Sequence, residues 1–140
     1  MLASITHKAV VAAVVSVYLV GCALAGDYSV DYAVGRDLIT ETGTLDDCTF
    51  NRSCRKRIKD WKASLSIYVS KRGDARASVD VHGGPGCCIF SDAQRSADID
   101  TRQTFNRLAV FWGRARRGNE LVLNEPMGTL LLWFRFGAEK

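Results

Sequence analysis

Leu65-Ser66-Ile67-Tyr68-Val69-Ser70-Lys71-Arg72-Gly73-Asp74-Ala75-Arg76-Ala77-Ser78-Val79-Asp80-Val81-His82 decides the fold class of this chain. Leu65, Ile67 and Val69 alternate with Ser66, Tyr68 and Ser70. After Lys71-Arg72-Gly73-Asp74 the alternation resumes, with Ala77, Val79 and Val81 set against Ser78, Asp80 and His82. Successive residues of a strand point to opposite faces, so a period of two collects the apolar side chains on one face. Two such runs about a Gly-containing turn read as a β-hairpin with its aliphatic face turned to a core.

The flanking segments repeat this pattern. Tyr28, Val30, Tyr32 and Val34 occupy the even positions of 27–35 and predict a strand with one buried face. The Thr-rich stretch 37–44 predicts a weaker strand ending at Gly43. Downstream, 97–101 alternates, 105–112 is apolar-rich, and 121–123 is a short buried strand between turns at 116–119 and 124–128. In the last segment, 129–136, Leu130, Leu132, Phe134 and Phe136 share one parity while Leu131 and Trp133 take the other. A strand that is apolar on both faces belongs inside a sheet or between layers. Short strands at this spacing predict a mainly β fold, a small antiparallel sandwich or barrel. One helix is expected within 51–64, where Ile58, Trp61 and Leu65 fall at i, i+3 and i+7.

The N-terminus addresses where the protein works. Lys8 precedes an uncharged, mostly apolar run from Ala9 to Val20, then small residues and a cysteine. A bilayer core takes about 20 apolar residues as a helix, so this shorter run suits a signal peptide better than a permanent span. Leu19-Val20-Gly21-Cys22 resembles the lipobox of bacterial lipoproteins. The resemblance implies that residues 1–21 are a signal peptide and that Cys22 becomes the lipidated first residue of a lipoprotein, carrying palmitate or similar chains. It implies membrane attachment in the bacterial cell envelope. Because Ala23 follows the cysteine where inner-membrane members often have Asp, it also implies the outer membrane, facing the periplasm of a Gram-negative cell. One acyl chain holds a protein only marginally, whereas several hold it firmly. A rival site, Ala23-Leu24-Ala25, would cleave before Gly26. The mature chain, 22–140, is expected to be a single domain, with 22–47 partly a linker.

Four other cysteines remain: Cys48, Cys54, Cys87 and Cys88. An even number in an exported chain predicts disulfides. Of the three connectivities, one pairs Cys48 with Cys54 and so joins Cys87 to its neighbour. Adjacent Cα atoms lie about 3.8 Å apart, below the usual ~4.4–6.8 Å of a disulfide. The expectation is therefore cross-links from the 48–54 segment to the 87–88 segment.

Chemical motifs are sparse. His82-Gly83-Gly84-Pro85-Gly86 resembles the oxyanion-hole loop of proline iminopeptidases and related α/β-hydrolases, but those enzymes also need a G-x-S-x-G nucleophile elbow, which this chain lacks. A Gly/Pro turn after a strand accounts for the motif. No catalytic residues and no cofactor are expected. His82 with Cys87 and Cys88 could form a small metal or thiol site, since thiolate and imidazole suit Zn or Cu(I); oxidation of the thiols would remove it, and no metal is expected. Six cations between Arg52 and Lys62, with Trp61 among them, read as a solvated face or as a surface that meets anionic lipid headgroups. Arg114, Arg116 and Arg117 form a second basic cluster. Net charge is +4, of which Lys8 supplies one, so the mature chain is only mildly basic and nucleic acid is not an expected partner. The leading expectation is a lipid-anchored envelope protein with a non-enzymatic binding or structural role, whose partner is an envelope protein or surface ligand. An inhibitor or immunity-type lipoprotein is the alternative, although a basic chain would repel basic lysozyme-type enzymes.

Overall fold

In the computed structural model, which describes residues 26–115 and 121–137, the quoted stretch is a hairpin inside a β sandwich. The described strands are β1 (Tyr28–Gly35), β2 (Ile39–Cys48), β3 (Ser53–Ile58), β4 (Ala63–Tyr68), β5 (Arg76–His82), β6 (Cys87–Phe90), β7 (Ser96–Asp100), β8 (Asn106–Ala115) and β9 (Leu121–Phe136). They form a five-stranded sheet, ordered β2-β1-β9-β8-β6, and a four-stranded sheet, ordered β3-β4-β5-β7. Every pairing is antiparallel. The sheets do not close into a barrel, so the sandwich is the form this chain takes.

β4 and β5 pair in the register the alternation requires, Leu65 opposite Val81 and Ile67 opposite Val79. All four are buried and meet Val30, Val34, Leu130, Leu132 and Val110 of the other sheet in one core. Each such side chain contributes about 1.5–3 kcal/mol on burial, so this shared face holds the layers together. Across β1 and β9 the match continues, with Val30 opposite Phe134, Tyr32 opposite Leu132 and Val34 opposite Leu130.

Three expectations are corrected. The segment 51–64 is not helical: β3 pairs with β4, Ile58 opposite Ala63, around a turn in which Lys62 has φ 49°. The i, i+3, i+7 stripe is shared between two strands and their turn. Ile58 and Leu65 are buried from opposite arms of the hairpin, and Trp61 lies in the turn between them. The segment 22–47 is no linker over its described part, because β1 is an inner strand of the larger sheet and β2 is its edge. β2 reads weakly because edge position leaves Ile39, Thr40 and Thr42 exposed; it runs past Gly43 to Cys48. Finally, 124–128 is no turn between two strands but an irregularity inside β9, where the register against β8 shifts near Phe111. Gly128 is required there. Its φ of 153° suits glycine, and a Cβ would come within 2.5 Å of the Gly35 carbonyl oxygen.

The cysteines also pair otherwise than expected. Cys48, ending β2, is bonded to Cys54 in β3, with Cα atoms 5.3 Å apart, and Cys87 is bonded to its neighbour Cys88. The reason lies in the register. Cys48 sits opposite Tyr28, which is opposite Phe136. Cys87 sits opposite Trp112, next to Phe111, which faces Pro126. Ten residues of β9 separate those rows, roughly 33 Å at the rise of a strand, far beyond the reach of a disulfide from Cys48. The Cys48–Cys54 bond closes the connection by which the chain passes from the five-stranded to the four-stranded sheet.

Candidate functional site

The end of the sandwich that carries the Gly/Pro motif holds a cleft of about 540 Å³, within the range of small-ligand sites. Five connections and strands converge on it. The β3–β4 turn supplies Asp60, Trp61 and Lys62; the turn after β5 supplies Gly84 and Pro85; β8 supplies Trp112; the irregular stretch of β9 supplies Glu125, Pro126 and Met127; and the turn after β1 supplies Arg36. The local sequence explains the shape. Gly86, at φ 82°, turns the chain into β6 and accepts a backbone hydrogen bond from the Gly113 N–H. That bond ties the motif to β8 beside Trp112. The register shift in β9 then brings Pro126 and Met127 into the cleft.

Indole rings, prolines and a thioether give the walls apolar area, while two cations and two carboxylates surround them. A largely apolar concavity with a few polar groups is the usual form of a ligand site, and Trp offers a rigid amphipathic face. Trp112 is exposed enough to meet a ligand, and Met127 is buried in the floor. The Cys87 Sγ lies 3.7 Å from the Met127 Sδ, so the Cys87–Cys88 pair backs this floor.

The sequence-derived candidates separate in space. His82 is exposed on the outward parity of β5, with Ser78 and Asp80, while Cys88 is buried in the core. Cys87 is half-buried, with its Sγ against Gly83 next to His82, so of the expected metal or thiol alternative it is Cys88 that lies in the interior, and among the described residues no group of three His, Cys, Asp or Glu is placed to hold a metal ion. Asp100 closes the turn after β7 by accepting hydrogen bonds from Arg102 Nε and Nη2 at 3.0 and 2.8 Å, and these bonds hold its carboxyl down to about 2. Asp74 is held below the usual carboxylate range by the Ser70 hydroxyl and the Arg76 N–H, again within a turn. These perturbed carboxylates serve loops, not the cleft.

Cys22, the lipobox and the A-x-A site lie outside the described residues, as do Arg116 and Arg117. Reading the sequence alone missed Arg36, Trp112, Glu125 and Met127, since nothing local marks residues that only the pairing of distant strands assembles. The Gly/Pro motif was visible and does border the cleft. No family model, no curated protein and no solved structure matches this chain.

Proposed function

We propose that this chain is an exported, lipid-anchored protein of the bacterial cell envelope that performs non-enzymatic binding through the cleft between Trp61 and Trp112. The lipobox-like Leu19-Val20-Gly21-Cys22 supports the anchorage. The observation that carries the binding role is the convergence of two tryptophans, two prolines and Met127 with Arg36, Lys62, Asp60 and Glu125 at one end of the sandwich. The apolar walls supply affinity, and the charges of both signs orient whatever enters.

Two measurements test the two halves. Intact mass of the detergent-extracted protein should show a chain beginning at Cys22 with acyl mass added; an unmodified chain beginning at Gly26 refutes the anchor. Envelope components that co-purify with the native protein should be lost from a Trp61→Ala/Trp112→Ala variant whose melting temperature is preserved. Retention of all of them by that variant refutes the cleft as the binding site.

A further inference from the structure

The sequence between Arg52 and Lys62 holds Arg52, Arg55, Lys56, Arg57, Lys59 and Lys62 against one acid, Asp60, a net of +5 where the whole chain carries +4. The structure turns this run into a line. β3 is an edge of the four-stranded sheet, hydrogen-bonded to β4 alone, and its other side runs beside β2, which it meets through the Cys48–Cys54 bond and Glu41. Arg55, Lys56 and Arg57 are consecutive and exposed on it, with Arg52 before the strand and Lys59 and Lys62 in the turn after it. Alternation sends Arg55 and Arg57 to one face of the sheet and Lys56 to the other, so cations wrap the edge. Neither ion pair among the described residues engages any of them. A single lysine or proline is enough to guard an edge strand against pairing, and this edge carries far more.

The nearby acids do not cancel the line. Glu41 is occupied in accepting from the backbone N–H groups of Lys59 and Asp60, at 3.0 and 3.4 Å. Asp46 and Asp47 stand at the end of β2, beside the disulfide. Six cations against these four acids leave an excess of positive charge, with Arg55-Lys56-Arg57 uninterrupted.

The position of this edge relative to the chain's N-terminal side is the second observation. The Asp27 N–H donates to the Cys48 carbonyl at 2.8 Å, and a Cβ on Gly26 would touch that same carbonyl. Cys48 is bonded to Cys54, in the first turn-side residues of β3. The chain therefore enters the sandwich beside the start of the basic edge. Cys22 is four residues before Gly26, a reach of at most about 14 Å. At the far end of the line stands Trp61, half-buried, a residue type suited to the boundary between water and acyl chains.

We infer that the β3 edge lies on the anionic phospholipid headgroups of the membrane that holds the protein, acting as a second attachment that sets the domain's orientation. Resting on the anchorage proposed above, the inference adds a polybasic surface to the acyl anchor: the chains hold the protein at the membrane, and the basic surface sets which side of the domain lies against it. With β3 against the leaflet, the cleft beside Trp61 opens along the membrane surface.

The test is hydrogen exchange of the protein as isolated, mixed with vesicles of phosphatidylcholine alone or with one-third phosphatidylglycerol. Exchange of the 52–62 peptide should slow by about threefold or more on the anionic vesicles relative to the neutral ones. The β7 peptide, 96–100, at the opposite edge of the same sheet, should not change. An Arg55→Gln/Lys56→Gln/Arg57→Gln variant should lose the slowing while β4 exchanges as in the native protein, which shows it folded. Equal exchange of 52–62 on both vesicles, slowing that persists in the variant, or slowing confined to another face overturns the inference. Retention on neutral vesicles through a high-salt wash reports the anchor separately, so loss of that retention with the charge-dependent slowing intact refutes only the anchor.

Discussion

Replacing Val79 with aspartate tests the sandwich at its centre. Val79 lies in β5, between β4 and β7, with Ile67 opposite on one side and Ala97 on the other, and it is fully buried. Removing its isopropyl group forfeits about 1.5–3 kcal/mol of burial. The carboxylate that replaces it would stand among the apolar side chains of the shared core, so at neutral pH it must take up a proton to stay inside. Starting from a reference carboxyl near 3.9, protonation at pH 7 costs about three pH units, roughly 4 kcal/mol at 1.36 per unit. The total, about 6 kcal/mol, is comparable to the whole stability of a small domain, about 5–15 kcal/mol. Val79→Asp should therefore be largely unfolded or strongly destabilised at pH 7 and should regain stability towards pH 4, as the proton becomes cheaper. The control is the next residue. Ser78 points outward, touches Ser96 Oγ at 3.0 Å and stands opposite Asp98, so Ser78→Lys places a cation across from a carboxylate and should change stability by well under about 1 kcal/mol. Ser78→Asp is the poorer control because it would set two acids face to face. Urea denaturation of both variants at pH 7 and pH 4.5 measures the difference. Equal midpoints for Val79→Asp and the native protein, or a loss in Val79→Asp that does not ease at lower pH, would refute the buried register.

Two further outcomes follow from particular contacts. Mapping without reductant should find Cys48 joined to Cys54, and Cys48→Ser/Cys54→Ser should cost about 2 kcal/mol, the loop-closure value for a separation of 6; peptides joining the 48–54 segment to 87–88 would contradict the structure. Tyr28 is fully buried, and burial pushes its hydroxyl up to about 12. Its ordinary value in the unfolded chain is about 10. The unfolded chain thus releases this proton first, so the contribution is complete below pH 10 and is lost as pH rises through 12. Native stability should decline across that window, and Tyr28→Phe should flatten the decline in an alkaline denaturation series.

How far the sequence reaches is clear from particular strands. The hairpin Leu65–Val81 was legible in full, because its alternation and its Gly-containing turn are local signals that the core then obeys. β1 was legible for the same reason, and the central place of β9 followed from apolar residues on both parities. β3 was misread because an edge strand with cations on both faces has no period of two, and Ile58 at its end combines with Trp61 of the following turn and Leu65 of β4 into an accidental helical stripe. The rows of β9 kept Cys48 away from Cys87, and row position depends on which strands become neighbours, a matter that spacing along the chain does not express.

The sequence by itself determined the chemistry of the parts: aliphatic faces of period two, a lipobox-like start, a Gly/Pro turn and one dense run of cations. The tertiary structure alone decided their company. It set Trp112 and Met127 in one cleft with Trp61, turned His82 outward while burying Cys88, and stretched the cations along an edge next to the point where the chain enters the fold. The physical reason is that hydrophobic periodicity dictates which face of a strand is buried, while the order and stagger of strands come from the packing of two whole sheets, a global free-energy balance that no single segment encodes.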